Sequence, residues 1–76
     1  MHQSNYSQHL EELISYKMPF GKYKDYLICD LPEHYLVWYR SKGFPKGKLG
    51  YLMGTMYEIR LNGLETLLNS IKKLKK

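Results

Sequence analysis

The sequence predicts an α+β fold in which a short β-hairpin packs against about four helices in a single small domain. Three observations lead there. Apolar residues alternate around Gly21 between Lys17 and Cys29, apolar residues recur at helical spacing on both sides of that stretch, and Pro19, Pro32, Gly43, Pro45 and Gly63 punctuate the runs.

Tyr6, Leu10, Leu13, Ile14 and Lys17 form a helical stripe, with Asn5 and Gln8 spaced as a capping-box analogue, so a first helix is expected over 7–16. Pro19 should end it by removing a donor and driving Met18 out of the helical region. Met18, Phe20, Tyr26 and Ile28 then alternate, which predicts two short strands around Gly21-Lys22-Tyr23-Lys24-Asp25. Asp30 and Glu33 stand at capping-box spacing with Pro32 in the first turn, marking the start of a second helix. Its apolar arc reads Leu31, Tyr35, Trp38 and Tyr39. Trp38, at the arc's centre, is expected in the core. Arg40 and Lys42 suit the negative end of the helix dipole, Gly43 supplies a left-handed stop, Phe44 can fold back, and Pro45 prevents continuation.

Gly47 and Lys48 open a third helix whose arc gathers Leu49, Leu52, Met53, Met56, Tyr57 and Ile59. Gly50 and Gly54 lie one turn apart beside it. Each glycine costs about 1 kcal/mol against alanine in a helix, so the pair implies close approach of another backbone or, alternatively, a shelf open to a ligand. Arg60 should bury its stem and send its guanidinium outward or to a carboxylate. Asn62-Gly63 interrupts the pattern, and Leu64, Leu67, Leu68, Ile71 and Leu74 restart it as a last helix running into Lys72, Lys73, Lys75 and Lys76. The basic end, 72–76, is expected to fray.

The 76 residues fit one domain, with 43% apolar and 25% charged side chains, the profile of a folded globular protein. No stretch approaches the roughly 20 apolar residues of a membrane span, and Met1-His2-Gln3-Ser4-Asn5 lacks the features of a secretion signal. A cytoplasmic protein without membrane contact is the expectation. Cys29 is the only cysteine, which excludes an internal disulfide and suits a reducing compartment.

The pattern argues against catalysis. His2, His9 and His34 show no metal-ligand spacing, Cys29 has only His34 nearby in sequence as a base, and Asp25, Asp30 and Glu33 read as turn and cap residues. No catalytic residue, metal or cofactor is assigned. Net charge is +5, with lysines grouped at Lys17, Lys22 and Lys24 and again at Lys42, Lys46 and Lys48, each group mixed with rings. Such mixtures grip phosphates and stack on bases, although surplus lysine also serves solubility and buried rings serve cores. The loop Gly43-Phe44-Pro45-Lys46-Gly47-Lys48 adds a helix start where an anion can meet free N–H groups. It is not a Walker loop, because its glycines are too close and Leu49 replaces the hydroxyl residue.

Met18-Pro19-Phe20-Gly21-Lys22-Tyr23-Lys24, Asp30-Leu31-Pro32, Tyr35-Leu36-x-Trp38, Gly43-Phe44-Pro45-x-Gly47-x-Leu49-Gly50 and Glu58-Ile59-x-x-Asn62-Gly63-Leu64-Glu65 together resemble a family of short bacterial proteins named for quorum-sensing-regulated virulence factors. The resemblance covers about residues 17–68 and departs at Asp25, where the family usually has glycine. The stretch from Phe20 to Trp38 also resembles a module at the C-terminal end of exonuclease X-type nucleases. That likeness implies an accessory role near nucleic acid, with Lys22 and Lys24 at the matching basic positions, and no catalytic residue.

Two functions of different class follow. The first is a non-enzymatic module binding single-stranded nucleic acid or ends through Lys22, Tyr23, Lys24, Phe44, Lys46, Gly47 and Lys48. The second is a protein-interaction adaptor using tyrosine side chains or the Gly50/Gly54 shelf.

Overall fold

The computed structural model describes residues 9–75, with side chains as far as Lys73. The capping pair Asn5 and Gln8, Tyr6 and Ser7 of the expected first helix, and the end of the lysine run lie outside these residues. Among the described residues there are four helices, α1 (9–13), α2 (Glu33–Lys42), α3 (Lys48–Leu61) and α4 (Glu65–Lys75), with a single 3₁₀ turn at Ile28–Asp30.

The expected β-hairpin is not formed, and the fold is helical rather than α+β. Among the described residues pairing shrinks to one antiparallel bridge, Lys17 with Leu27. Three backbone bonds flank it: Met18 N–H to Tyr26 O at 2.8 Å, Asp25 N–H to Met18 O at 2.7 Å, and Ile28 N–H to Tyr16 O at 3.0 Å. A ladder cannot extend beyond them. Pro19 has no N–H to give. Gly21 and Asp25 take positive φ of 84° and 74°, so residues 21–26 curl into consecutive turns closed by Lys24 N–H to Gly21 O and Tyr26 N–H to Tyr23 O. On the other side the 3₁₀ turn begins at once. The alternating apolar residues are therefore a loop that dips into the core twice, at Met18 and Ile28. Asp25, the departure from the family's glycine, occupies the backbone region that glycine enters without strain.

The α2 start also differs from its sequence reading. Pro32 stands at the N-cap, no side chain caps the helix, and Asp30 sits in the preceding turn with its carboxylate 3.6 Å from Lys72 Nζ. The α2 stop is as expected: Gly43 has φ 96° and donates to Arg40 O. At the end of α3, Gly63 (φ 67°) donates to Arg60 O and Leu64 N–H to Ile59 O, the paired bonds of a Schellman stop.

α3 is the central element, because it contributes more buried side chains to the core than any other helix. Leu49, Leu52, Met53, Met56 and Ile59 are buried on it, joined by Leu10 and Leu13 of α1, Met18, Ile28, Cys29, Leu31, Leu36 of α2 and Leu68 of α4. Fully burying one such side chain contributes about 1.5–3 kcal/mol, so this cluster carries most of the stability of so short a chain. Gly50 is the point of closest approach. A Cβ there would overlap the Pro45 carbonyl oxygen and lie 2.8 Å from its carbon, whereas at Gly54 it would only touch the Phe44 ring at 3.8 Å. The approaching backbone is thus the chain's own α2–α3 loop, and the glycine shelf is covered.

Trp38 is not core. Leu36 is the one buried residue of α2, with Tyr35 and Tyr39 flanking it, and Trp38 is 52% exposed. At about 100° per residue, the side that carries Pro32, Leu36 and Tyr39 inward turns Trp38 toward solvent. Arg60 behaves as read from the sequence: its guanidinium reaches Cys29 O at 3.1 Å and Glu65 at 3.8 Å, and its buried Nε lacks a partner.

Candidate functional site

A row of rings runs along α2. Tyr23 meets Tyr26 edge-on at 5.1 Å and Tyr35 at 4.6 Å; Tyr35 then stacks on Trp38 at 6.2 Å and meets Tyr39 edge-on at 5.7 Å. From Tyr39 the row continues through Phe44 (6.2 Å) to Tyr57 (6.4 Å) on α3. The order follows from local chemistry. Tyr35, Trp38, Tyr39 and Lys42 recur at helical spacing on α2, and the turn at Gly21 brings Tyr23 back beneath them, with Tyr35 Oη 3.5 Å from where a Gly21 Cβ would stand.

Cations ride on this row. Lys22 Nζ lies 5.6 Å from the Tyr23 ring centre, Lys42 Nζ 5.9 Å from Trp38, and the Arg40 guanidinium 5.1 Å from Tyr57. Each is within cation–π range. Tyr26 is exposed at one end of the row, while Val37 and Trp38 are exposed on α2, so the Trp38 end presents apolar surface beside the Lys42 ammonium. A shallow depression of about 550 Å³ opens there, lined by Glu33, His34, Val37 and Trp38. His34 Nε2 lies 3.5 Å from Tyr23 Oη. Burial, with Tyr39 and Tyr23 alongside, pushes the Tyr35 hydroxyl above the usual phenol value, so it stays protonated.

The residues proposed from the sequence divide between two places. Lys22 and Tyr23 belong to the row, and Lys24 is exposed on the same turn. Phe44 is half-buried inside the row, packed on the core, and offers less ring face than expected. Lys46 and Gly47 are exposed in the loop, Gly47 with φ 83° at the N-cap of α3. Lys48 lies apart. Its ammonium bonds Glu12 of α1 at 2.7 Å, which raises its affinity for its proton, and nine residues separate it from Tyr57, half a turn round the helix at about 100° per residue. The α1 side of α3 is a separate neighbourhood, where the His9 ring lies tilted against Tyr51 at 4.3 Å and bonds Thr55 at 2.8 Å. Sequence reasoning missed Trp38 as a surface ring; its spacing to Lys42, i to i+4, was the available signal.

Nothing in this geometry assembles a nucleophile. Cys29 is buried, burial and then Asp30 push its thiol above the ordinary value, and His34 is engaged with Tyr23 rather than with sulfur. Among the described residues no group of three His, Cys, Asp or Glu side chains is placed to hold a metal, and no helix is long and apolar enough to cross a membrane.

The glycine at Gly43, the Phe44 return and the Gly50 contact with Pro45 are the structural counterparts of the motif residues, and residues 6–71 match the family described as "Putative quorum-sensing-regulated virulence factor". The chain belongs to that family. It is 45% identical over 67 residues to the uncharacterized protein YpeB of Escherichia coli K12, covering 87% of this chain and 93% of the relative, and equally so to YpeB of Escherichia coli O157:H7. No solved structure matches. None of these family matches extends to the exonuclease X-type module, so that likeness rests on its motif residues alone.

Proposed function

We propose that this member of the family is a non-enzymatic module that holds single-stranded nucleic acid across the α2 face. Lys22, Lys24 and Lys42 meet phosphates, while Trp38, Tyr26 and Tyr23 offer ring faces to bases. The observation that supports this most is the Tyr26–Tyr23–Tyr35–Trp38 row with Lys22 and Lys42 seated on its rings. Stacking on such rings contributes about 1–3 kcal/mol per base and tolerates any sequence. The net charge of +5 favours a polyanion. Relative to the sequence reading, Lys42 and Trp38 join the surface, Phe44 and Gly47 become its scaffold, and Lys48 serves α1 docking.

Fluorescence anisotropy with a labelled oligonucleotide at two ionic strengths tests the proposal. Each phosphate neutralised on a single strand contributes about 0.7 to the slope of log K against log salt, so three lysines give a slope near −2. Lys42→Ala should make the slope shallower by about 0.7, and Lys48→Ala should leave it unchanged. Absence of binding below the millimolar range at low salt rejects the proposal. A second reading, a protein adaptor, draws on the exposed Leu61, Leu64 and Leu67 between α3 and α4 and on exposed Tyr51. Charge reversal at Lys22 separates the two, since only the first needs that ammonium.

A further inference from the structure

We propose that Glu33 gives this surface a base preference, for guanine in a single strand. The inference rests on the reading of the α2 face as a nucleic-acid surface and concerns what the depression beside Trp38 selects. Trp38 and Val37 are exposed apolar groups there, and the half of the indole surface that Tyr35 and Lys42 leave open is the stacking platform for one base. The polar side chains are Glu33 and His34.

Glu33 is the first residue of α2, where the helix dipole favours a carboxylate, and it is exposed with no hydrogen-bond or ion-pair partner among the described residues. Its two oxygens are acceptors only. Guanine alone among the bases presents two adjacent donors, N1–H and N2–H, on its Watson–Crick edge, so a stacked guanine can bond both oxygens at once. Adenine and cytosine set a ring acceptor beside their amino donor. Thymine and uracil flank a single N–H with two carbonyls. Each of those arrangements turns lone pairs toward the carboxylate. A negative group in a polyanion site also weakens binding of every strand whose base does not satisfy it, which makes Glu33 a discriminator by rejection as well as by attraction. Lys42, on the Trp38 ring, is placed to meet the phosphate beside the stacked base.

The test uses the fluorescence of Trp38, the sole tryptophan, together with anisotropy of labelled thymidine hexamers carrying guanine, adenine, cytosine or thymine at the third position. The guanine hexamer should bind about tenfold tighter than the other three, the value of one good bidentate base contact. Glu33→Gln should erase the difference while tightening binding of the all-thymidine hexamer. Equal affinities for the four hexamers, or a guanine preference that survives Glu33→Gln, overturn the inference and leave the surface standing. No quenching and no anisotropy change with any hexamer overturns the surface reading itself.

Discussion

Replacing Gly50 by alanine sets a methyl carbon against the Pro45 carbonyl, 2.8 Å from its carbon and overlapping its oxygen, while the same change at Gly54 meets only the flat of the Phe44 ring at 3.8 Å. The two positions are one turn apart on the same helix face, so propensity treats them alike and only the neighbour differs. Alanine gains about 1 kcal/mol over glycine within a helix at either site. At Gly50 the obstruction is main chain, which no rotamer change can move aside, and overpacking of this kind costs about 1–3 kcal/mol. The upper end applies, because the added carbon would overlap the carbonyl oxygen as well as crowd its carbon. Gly50→Ala should therefore lose about 2 kcal/mol net and lower Tm by about 8–16 °C, and Gly54→Ala should gain about 0.5–1 kcal/mol and raise it by about 2–8 °C. Thermal and urea unfolding followed by helical circular dichroism measure both. A neutral or stabilising Gly50→Ala, or shifts of the same sign at the two sites, would refute the account of the loop as the element packed on α3.

Asp25→Gly should stabilise the fold by about 0.5–1 kcal/mol, since φ 74° strains an L side chain and not glycine; a lowered urea midpoint would show that the aspartate carboxylate supports the turn. Burial raises the Cys29 thiol pKa on folding, so the folded state holds that proton more tightly than the unfolded one. The contribution is complete below the unfolded value and fades as pH rises through the folded one, so stability above pH 9 should fall more steeply in the wild type than in Cys29→Ala, and coincident slopes would reject it.

Local chemistry made the helices legible. Gly43 and Gly63 mark where α2 and α3 stop, and the α3 arc named all five of its buried apolar residues. Alternation in Met18, Phe20, Tyr26 and Ile28 is equally the signature of a loop with two inward residues, and Pro19 with the positive φ at Gly21 and Asp25 decides for the loop. The arc of Leu31, Tyr35, Trp38 and Tyr39 points Trp38 inward, whereas Leu36, which that arc omits, takes the buried position and helix rotation turns the indole outward. Lys48 looked available for a phosphate because its partner, Glu12, lies 36 residues away in the chain. Pairings of that kind are set by how α1 docks, and no spacing rule within one helix announces them.

The edge-to-face contacts among Tyr23, Tyr26, Tyr35, Trp38 and Tyr39 restrict the rotamers open to the rings at the middle of the row. A side chain that is free before association forfeits about 0.5–1.5 kcal/mol of rotational entropy when something settles on it. Here much of that loss has already been taken during folding. Whatever lands on the outer side of α2 meets a stiff template rather than a floppy one.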